Sequence, residues 1–390
     1  MQTPGASRPG SVLTYVILCT LIPFSGSLVY PVLSLYVTTE LLFTPLGTSL
    51  LYILLPVTTV IVVQVVGRMS DYGLQRPLIV SVSCVAGICS GAFLMLRPEL
   101  ILMCTLGVLF LALSSVGFPQ MFASAREFSL RGMRSSIMFT TFLRALCSLA
   151  WVIGPPVAYF IATGHSFNLL FILSALMYVV SGLIAFFFLP HIRIEPVEGV
   201  SAKENPLKSL PVLLLFIACA AMFTAFNSYI VTMPLYITEE LKLDKSLPGY
   251  MMGLAAFLEI PIMLLAAKAA RVTGLKSIVV TGGVCLVLFL VCMIFVKDAR
   301  LFLALQILSA LFIGLVGSMG MVYFQELLPT IPGQSTSLFI NAGTAGQIAG
   351  GALIALSALG SYRYIFMAGL AFALVSLVVL IFVKKPASVR

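Results

Sequence analysis

Two charged residues sit where charge is expensive. Arg144 and Glu259 each lie inside a long apolar run, and a charge at the centre of a hydrocarbon layer costs at least ~2.5–3.5 kcal/mol. Such a residue must face protein or water. A carboxyl group there can bind and release a proton, because desolvation favours its neutral form and a nearby guanidinium its charged form. The chemistry this suggests is proton binding at Glu259, modulated by Arg144; the bland reading is a permanent buried pair that fixes helix packing. Asn227, Tyr229, Asn341 and Gln347 also fall in apolar runs and can hydrogen-bond a polar ligand or a neighbouring helix. Tyr30 offers an aromatic face to a ligand or a place in an interfacial belt, and Trp151, the only tryptophan, offers packing or ligand stacking.

The elements that carry these residues must be membrane spans. Of the 390 residues 61% are apolar and only 9% charged, and the mean hydropathy is +1.14. Soluble domains carry roughly 25% charged residues. Runs of about 20 apolar residues, the length needed to cross a bilayer, lie near 12–37, 45–67, 77–96, 100–124, 136–162, 167–189, 210–237, 249–268, 277–296, 301–326, 335–358 and 362–383. The fold class expected is an all-α membrane protein of twelve transmembrane helices in two six-helix repeats. The domains are 1–189, a linker at 190–209 on the cytoplasmic side, and 210–390. The first run lacks a small-residue cleavage site and reads as a retained helix.

Orientation follows from Lys and Arg. With both termini inside, fifteen of the 22 basic residues are cytoplasmic (among them Arg68, Arg76, Arg126, Arg131 and Arg134) and six are outside. That bias places both termini in the cytoplasm. The net charge of +9 is spread over short loops, which fits topology and gives no nucleic-acid-binding patch. The eight cysteines all lie in apolar runs without zinc-ligand spacing, so they read as small fillers. With two histidines, both in predicted loops, and no HExxH or Walker motif, the sequence predicts no enzyme, no metal, no cofactor and no ATP-driven pump.

The halves repeat. Tyr36-Val37-Thr38-Thr39-Glu40-Leu41 returns as Tyr236-Ile237-Thr238-Glu239-Glu240-Leu241 at an offset of 200, each after a proline (Pro31, Pro234). Gly73 and Arg76 after the second span correspond to Gly274 and Lys276 after the eighth. Two parallel repeats with substrate near the midplane describe the major facilitator superfamily.

Within it, several segments resemble the bacterial sugar efflux transporter family. They are Pro119-Gln120-Met121-Phe122-Ala123 with Ala125-Arg126-Glu127, Phe142-Leu143-Arg144-Ala145, Ser148 to Pro156, Leu258-Glu259-Ile260-Pro261 and Phe324-Gln325-Glu326-Leu327. The resemblance implies proton-coupled export of small sugars or glycosides across a bacterial inner membrane by a monomer. Its partners are a small-molecule substrate, protons and the lipid bilayer. In that fold the fifth and eighth helices are neighbours, so Arg144 and Glu259 are expected to interact in at least one state. The loop through Gly67, Asp71 and Arg76 resembles the superfamily's gating motif, although Tyr72 replaces a basic residue. Asp71 with Arg126 and Glu127 is expected to latch the halves together, the alternative being a solvated face. Gly154-Pro155-Pro156 partly resembles an antiporter signature and is expected to break the fifth helix and act in gating. Polar family positions appear here as Val29, Leu146 and Thr232, which keeps a multidrug or amphipathic-compound exporter of the same fold as the alternative.

Overall fold

The computed structural model describes residues 9–71, 73–132, 136–190, 209–328 and 332–383. The 190–209 linker, apart from residues 190 and 209, and the termini that carry the orientation lie outside them, as does the side chain of Asp71. Among the described residues, twelve helices are long and apolar enough to cross a membrane. They are α1 (Val12–Thr39), α2 (Pro45–Ser70), α3 (Arg76–Met95), α4 (Leu100–Ser129), α5 (Phe142–Gly164), α6 (Phe167–Phe188), α7 (Leu210–Glu240), α8 (Leu247–Thr273), α9 (Leu275–Phe295), α10 (Ala299–Leu327), α11 (Gln334–Leu359) and α12 (Arg363–Phe382). A helix satisfies its own backbone polar groups, which hydrocarbon cannot do.

The chain forms two compact units, residues 1–43 with 54–198 and residues 44–53 with 199–390. In the first, Tyr15, Leu18 and Cys19 of α1 meet Val80 and Cys84 of α3, Met121 of α4, Leu143 and Cys147 of α5, and Tyr178 of α6. In the second, the core gathers Met222 and Tyr229 of α7, Phe289 of α9, Phe312 of α10, Ala342 of α11 and Phe366 of α12. Outward faces carry residues such as Phe187 and Leu264, apolar yet exposed, as expected where lipid is the solvent.

The repeat is present in backbone geometry. After Glu40, Leu42 takes φ 55°; after Glu240, Lys242 takes φ 54°. The backbone N–H of Leu41 donates to Tyr36 and that of Phe43 to Val37, while Leu241 donates to Tyr236 and Leu243 to Ile237. A non-glycine residue in the left-handed region costs about 1–2 kcal/mol, yet both copies adopt it. Both glutamates then pair with an arginine, Glu40 with Arg97 at 2.7 Å and Glu240 with Arg363 at 3.7 Å. The partners differ in origin, since Arg97 follows α3 whereas Arg363 begins α12.

α5 remains helical through Gly154-Pro155-Pro156 rather than breaking there. Gly154 lets α1 approach so closely that a Cβ would fall 1.8 Å from Ser27 Oγ. That hydroxyl donates to Ala150 O at 3.2 Å and the Tyr159 hydroxyl to Pro31 O at 2.7 Å, tying α5 to α1 across the proline segment.

Candidate functional site

α5 presents three faces. Leu143, Cys147, Ala150, Gly154 and Ala158 form the buried stripe. Phe142, Leu149, Ile153 and Phe160 form an exposed apolar face suited to lipid or an apolar partner. Arg144, Ser148 and Trp151, at i, i+4 and i+7, form a second exposed face that is polar and aromatic. Arg144 is exposed, and within its own unit it has no ion pair among the described residues.

Glu259 lies midway along α8, half-buried, with no hydrogen bond or ion pair to a described residue of its unit. Beside it α10 contains a π-turn at Ile313–Gly317. A Cβ on Gly314 would stand 2.5 Å from Ile262 Cγ2 and 3.5 Å from Glu259 O, so the missing side chain lets the π-turn seat against this stretch of α8. Single π-turns inside α-helices recur at functional sites.

α11 contributes a polar stripe that the sequence reading did not assemble. Ser337 and Asn341 are exposed, Thr344 follows at helical spacing, and Gln347 is exposed one turn further on. Ser and Thr interrupt a hydropathy profile weakly, so only a count at i, i+4 and i+7 reveals the stripe. On the opposite side Gly346 and Gly350 allow α7 to approach; their Cβ atoms would meet Phe223 Cβ at 2.4 Å and Thr224 O at 3.0 Å.

Other candidates point into the protein. Tyr229 is buried, and its hydroxyl donates to Gln306 Oε1 at 3.3 Å between the rings of Phe226 and Phe289. Tyr30 donates to Leu111 O at 3.1 Å within its unit. Each of these two hydroxyls spends its proton on an acceptor within the protein. Asn227 is half-buried and spends an amide N–H on Phe223 O at 2.8 Å. Gln306, missed in the sequence, was detectable as a polar side chain in an apolar span. Val29 and Thr232 are buried, and Leu146 packs against the first core. The apolar substitutions at Val29 and Leu146 therefore lie in packing.

Within its own unit Glu127, expected in a latch between the halves, is held by Arg76. Arg76 Nε and Nη2 both donate to Glu127 Oε1, at 3.0 and 2.7 Å, and Nη1 donates to Gln120 Oε1 at 2.7 Å. Arg126 is exposed and Gly67 is half-buried with open space beside it.

The sequence profile of the Major Facilitator Superfamily matches residues 15–299 and again 215–390. The chain belongs to this superfamily. Two relatives at similar length set its place within it. It is 33% identical to sugar efflux transporter C of Escherichia coli (strain K12), over 97% of this chain and 98% of that protein. It is 36% identical to sugar efflux transporter B of Salmonella typhimurium, over 98% of both. These matches bear out the resemblance to the sugar efflux transporter family seen in the α4, α5, α8 and α10 segments. Solved structures share the fold at low identity. The nucleoside transporter NupG superposes with a TM-score of 0.79 at 14% identity, over 95% of this chain and 97% of that one. A bacterial homologue of ferroportin in an inward-facing state gives 0.75 at 19%, over 95% and 98%. This superfamily member is thus a multi-pass membrane transporter of small molecules and not an enzyme.

Proposed function

We propose that the protein is a secondary active exporter that moves small sugars or glycosides out across a bacterial inner membrane in exchange for protons. Both termini are assigned to the cytoplasm, from the Lys/Arg bias. The observation that carries the reading is Glu259, a half-buried carboxyl in the middle of α8 without a partner among the described residues of its unit. In apolar surroundings the protonated form is favoured, and solvation or a nearby cation favours release. Arg144 is assigned the role of that cation during the cycle. The substrate class comes from the relatives named sugar efflux transporters. It is supported by the two polar faces. Hydroxyl and amide groups of Ser337, Asn341, Thr344 and Gln347 suit a polyol, and the exposed ring of Trp151 suits the apolar face of a sugar.

The test is proton release by purified protein in weakly buffered detergent on adding lactose or an alkyl glycoside. Wild type is expected to exchange protons with the medium on binding, and Glu259→Gln is expected to bind without doing so. An unchanged proton signal in Glu259→Gln removes the carboxyl from the coupling role. A signal confined to a lipophilic cation assigns the protein to export of amphipathic compounds instead.

A further inference from the structure

Three sulfur atoms meet in the core of the first unit, each from a different helix. The Cys19 thiol of α1 donates to Met121 Sδ of α4 at 2.9 Å. The Cys147 thiol of α5 is in hydrogen-bond contact with that of Cys19 and also reaches Cys19 O at 3.2 Å. All three side chains are buried. They stand 102 and 128 residues apart in the chain, so no local spacing announces them, and taken singly each reads as an apolar filler. Tyr15 and Cys19, like Met121 and Ser124, are one helical turn apart. There the sulfurs give way to a polar pair, in which the Tyr15 hydroxyl donates to Ser124 O at 3.2 Å and lies 2.8 Å from Ser124 Oγ.

Two thiols and a thioether are a soft donor set, the kind that selects monovalent copper. Zinc in a closed site takes four ligands, and among the described residues no further His, Cys, Asp or Glu joins these thiols in a metal-binding group. Charge favours the monovalent ion as well. A copper(I) ion that displaces one thiol proton to solvent leaves a thiolate, a thiol, a thioether and one cation, which sum to zero. A neutral set suits an apolar core, where an uncompensated charge is costly. Metal–sulfur bonds of ~2.3 Å put two sulfurs about 4 Å apart across a trigonal ion, so the Cys19–Met121 pair must open by about 1 Å. Met121 can yield, since its unbranched side chain has three rotatable bonds. We propose that Cys19, Cys147 and Met121 form a three-coordinate site for copper(I), which clips α1, α4 and α5 of the first unit together. The site is independent of the role given to Glu259.

The experiment titrates purified full-length protein with copper(I) under anaerobic conditions, with bicinchoninate as competing chelator. Wild type is expected to hold one ion per chain against the chelator, and Cys19→Ala and Cys147→Ala are expected to lose it. Met121→Leu is expected to weaken binding by roughly tenfold or more. Cys219→Ala, which removes a buried thiol of the second unit, is expected to bind as wild type does. No ion held by wild type, an ion still held by Cys19→Ala, or unchanged affinity in Met121→Leu overturns the site. Two measurements on wild type need no variant. A copper X-ray absorption spectrum with a first shell of three sulfurs supports the site, and a shell containing nitrogen or oxygen contradicts it. Slower amide hydrogen exchange on copper binding, confined to α1, α4 and α5, places the ion there; slowing in α9 and α12 instead contradicts the assignment.

Discussion

Gly154 shows how a single hydrogen atom can decide whether two membrane helices meet. Its place opposite Ser27 leaves no room for a methyl group. Overpacking of this kind costs roughly 1–3 kcal/mol. Gly154→Ala is expected to lower the thermal unfolding midpoint in detergent, and Ser27→Gly in the same chain is expected to restore most of the loss. The two changes in combination should be clearly non-additive, as contacting residues are. Charge pairs at this scale differ by burial. Arg76 and Glu127 are 17% and 15% exposed, whereas Arg97 and Glu40 are 63% and 32% exposed. Removing one partner of a pair costs more the closer the pair lies to burial, reaching about 3 kcal/mol or more for a fully buried one. An exposed pair is worth about 0–1 kcal/mol. Arg76→Ala should therefore destabilise the protein several times more than Arg97→Ala in parallel thermal melts.

At the scale of elements, irregular backbone places the chemistry. The π-turn of α10 touches α8 at Glu259 because Gly314 has no side chain. Gly314→Leu is expected to displace that stretch of α8 and shift the pH profile of transport, while expression stays near wild type. An unchanged profile would separate the π-turn from proton coupling. A second contact of this type joins residues 44–53 to α11. Ser49 Oγ donates to Gly351 O at 2.9 Å, and a Cβ at Gly351 would meet Tyr52 O at 2.6 Å. Gly351→Val is expected to loosen this docking, read as faster backbone hydrogen exchange over 44–53 with little change over α9. Equal protection in the variant would show that the glycine is not required there.

Across the whole molecule, the parts legible in sequence are those where the bilayer leaves little choice. Twelve apolar runs become twelve spans because each must satisfy its own backbone. The repeat of Tyr36–Leu41 and Tyr236–Leu241 is readable because a left-handed residue at the equivalent position, Leu42 or Lys242, and the same backbone bonds close both copies. Arg144 and Glu259 stand out because they violate hydropathy. Rotation about a helix axis is what composition hides. Tyr229 and Asn341 are both polar residues in apolar runs, yet one is sealed against Gln306 and the other is exposed. A span with lipid on one side and protein on the other is apolar on both, so no periodic signal says which way a hydroxyl points. Proline misled for a related reason: neighbouring hydroxyls of Ser27 and Tyr159 secure α5 where an isolated helix would break.

Coupling of proton movement to solute export is proposed to pass through Glu259. It is tested most directly in proteoliposomes with an imposed pH gradient, following a radiolabelled glycoside against its own gradient. Wild type is predicted to move the glycoside uphill only while the proton gradient lasts. Glu259→Gln is predicted to lose uphill movement but keep exchange of labelled for unlabelled solute. Uphill transport that survives in Glu259→Gln removes this carboxyl from the coupling role, and uphill transport that ignores the proton gradient in wild type removes the proton from the cycle.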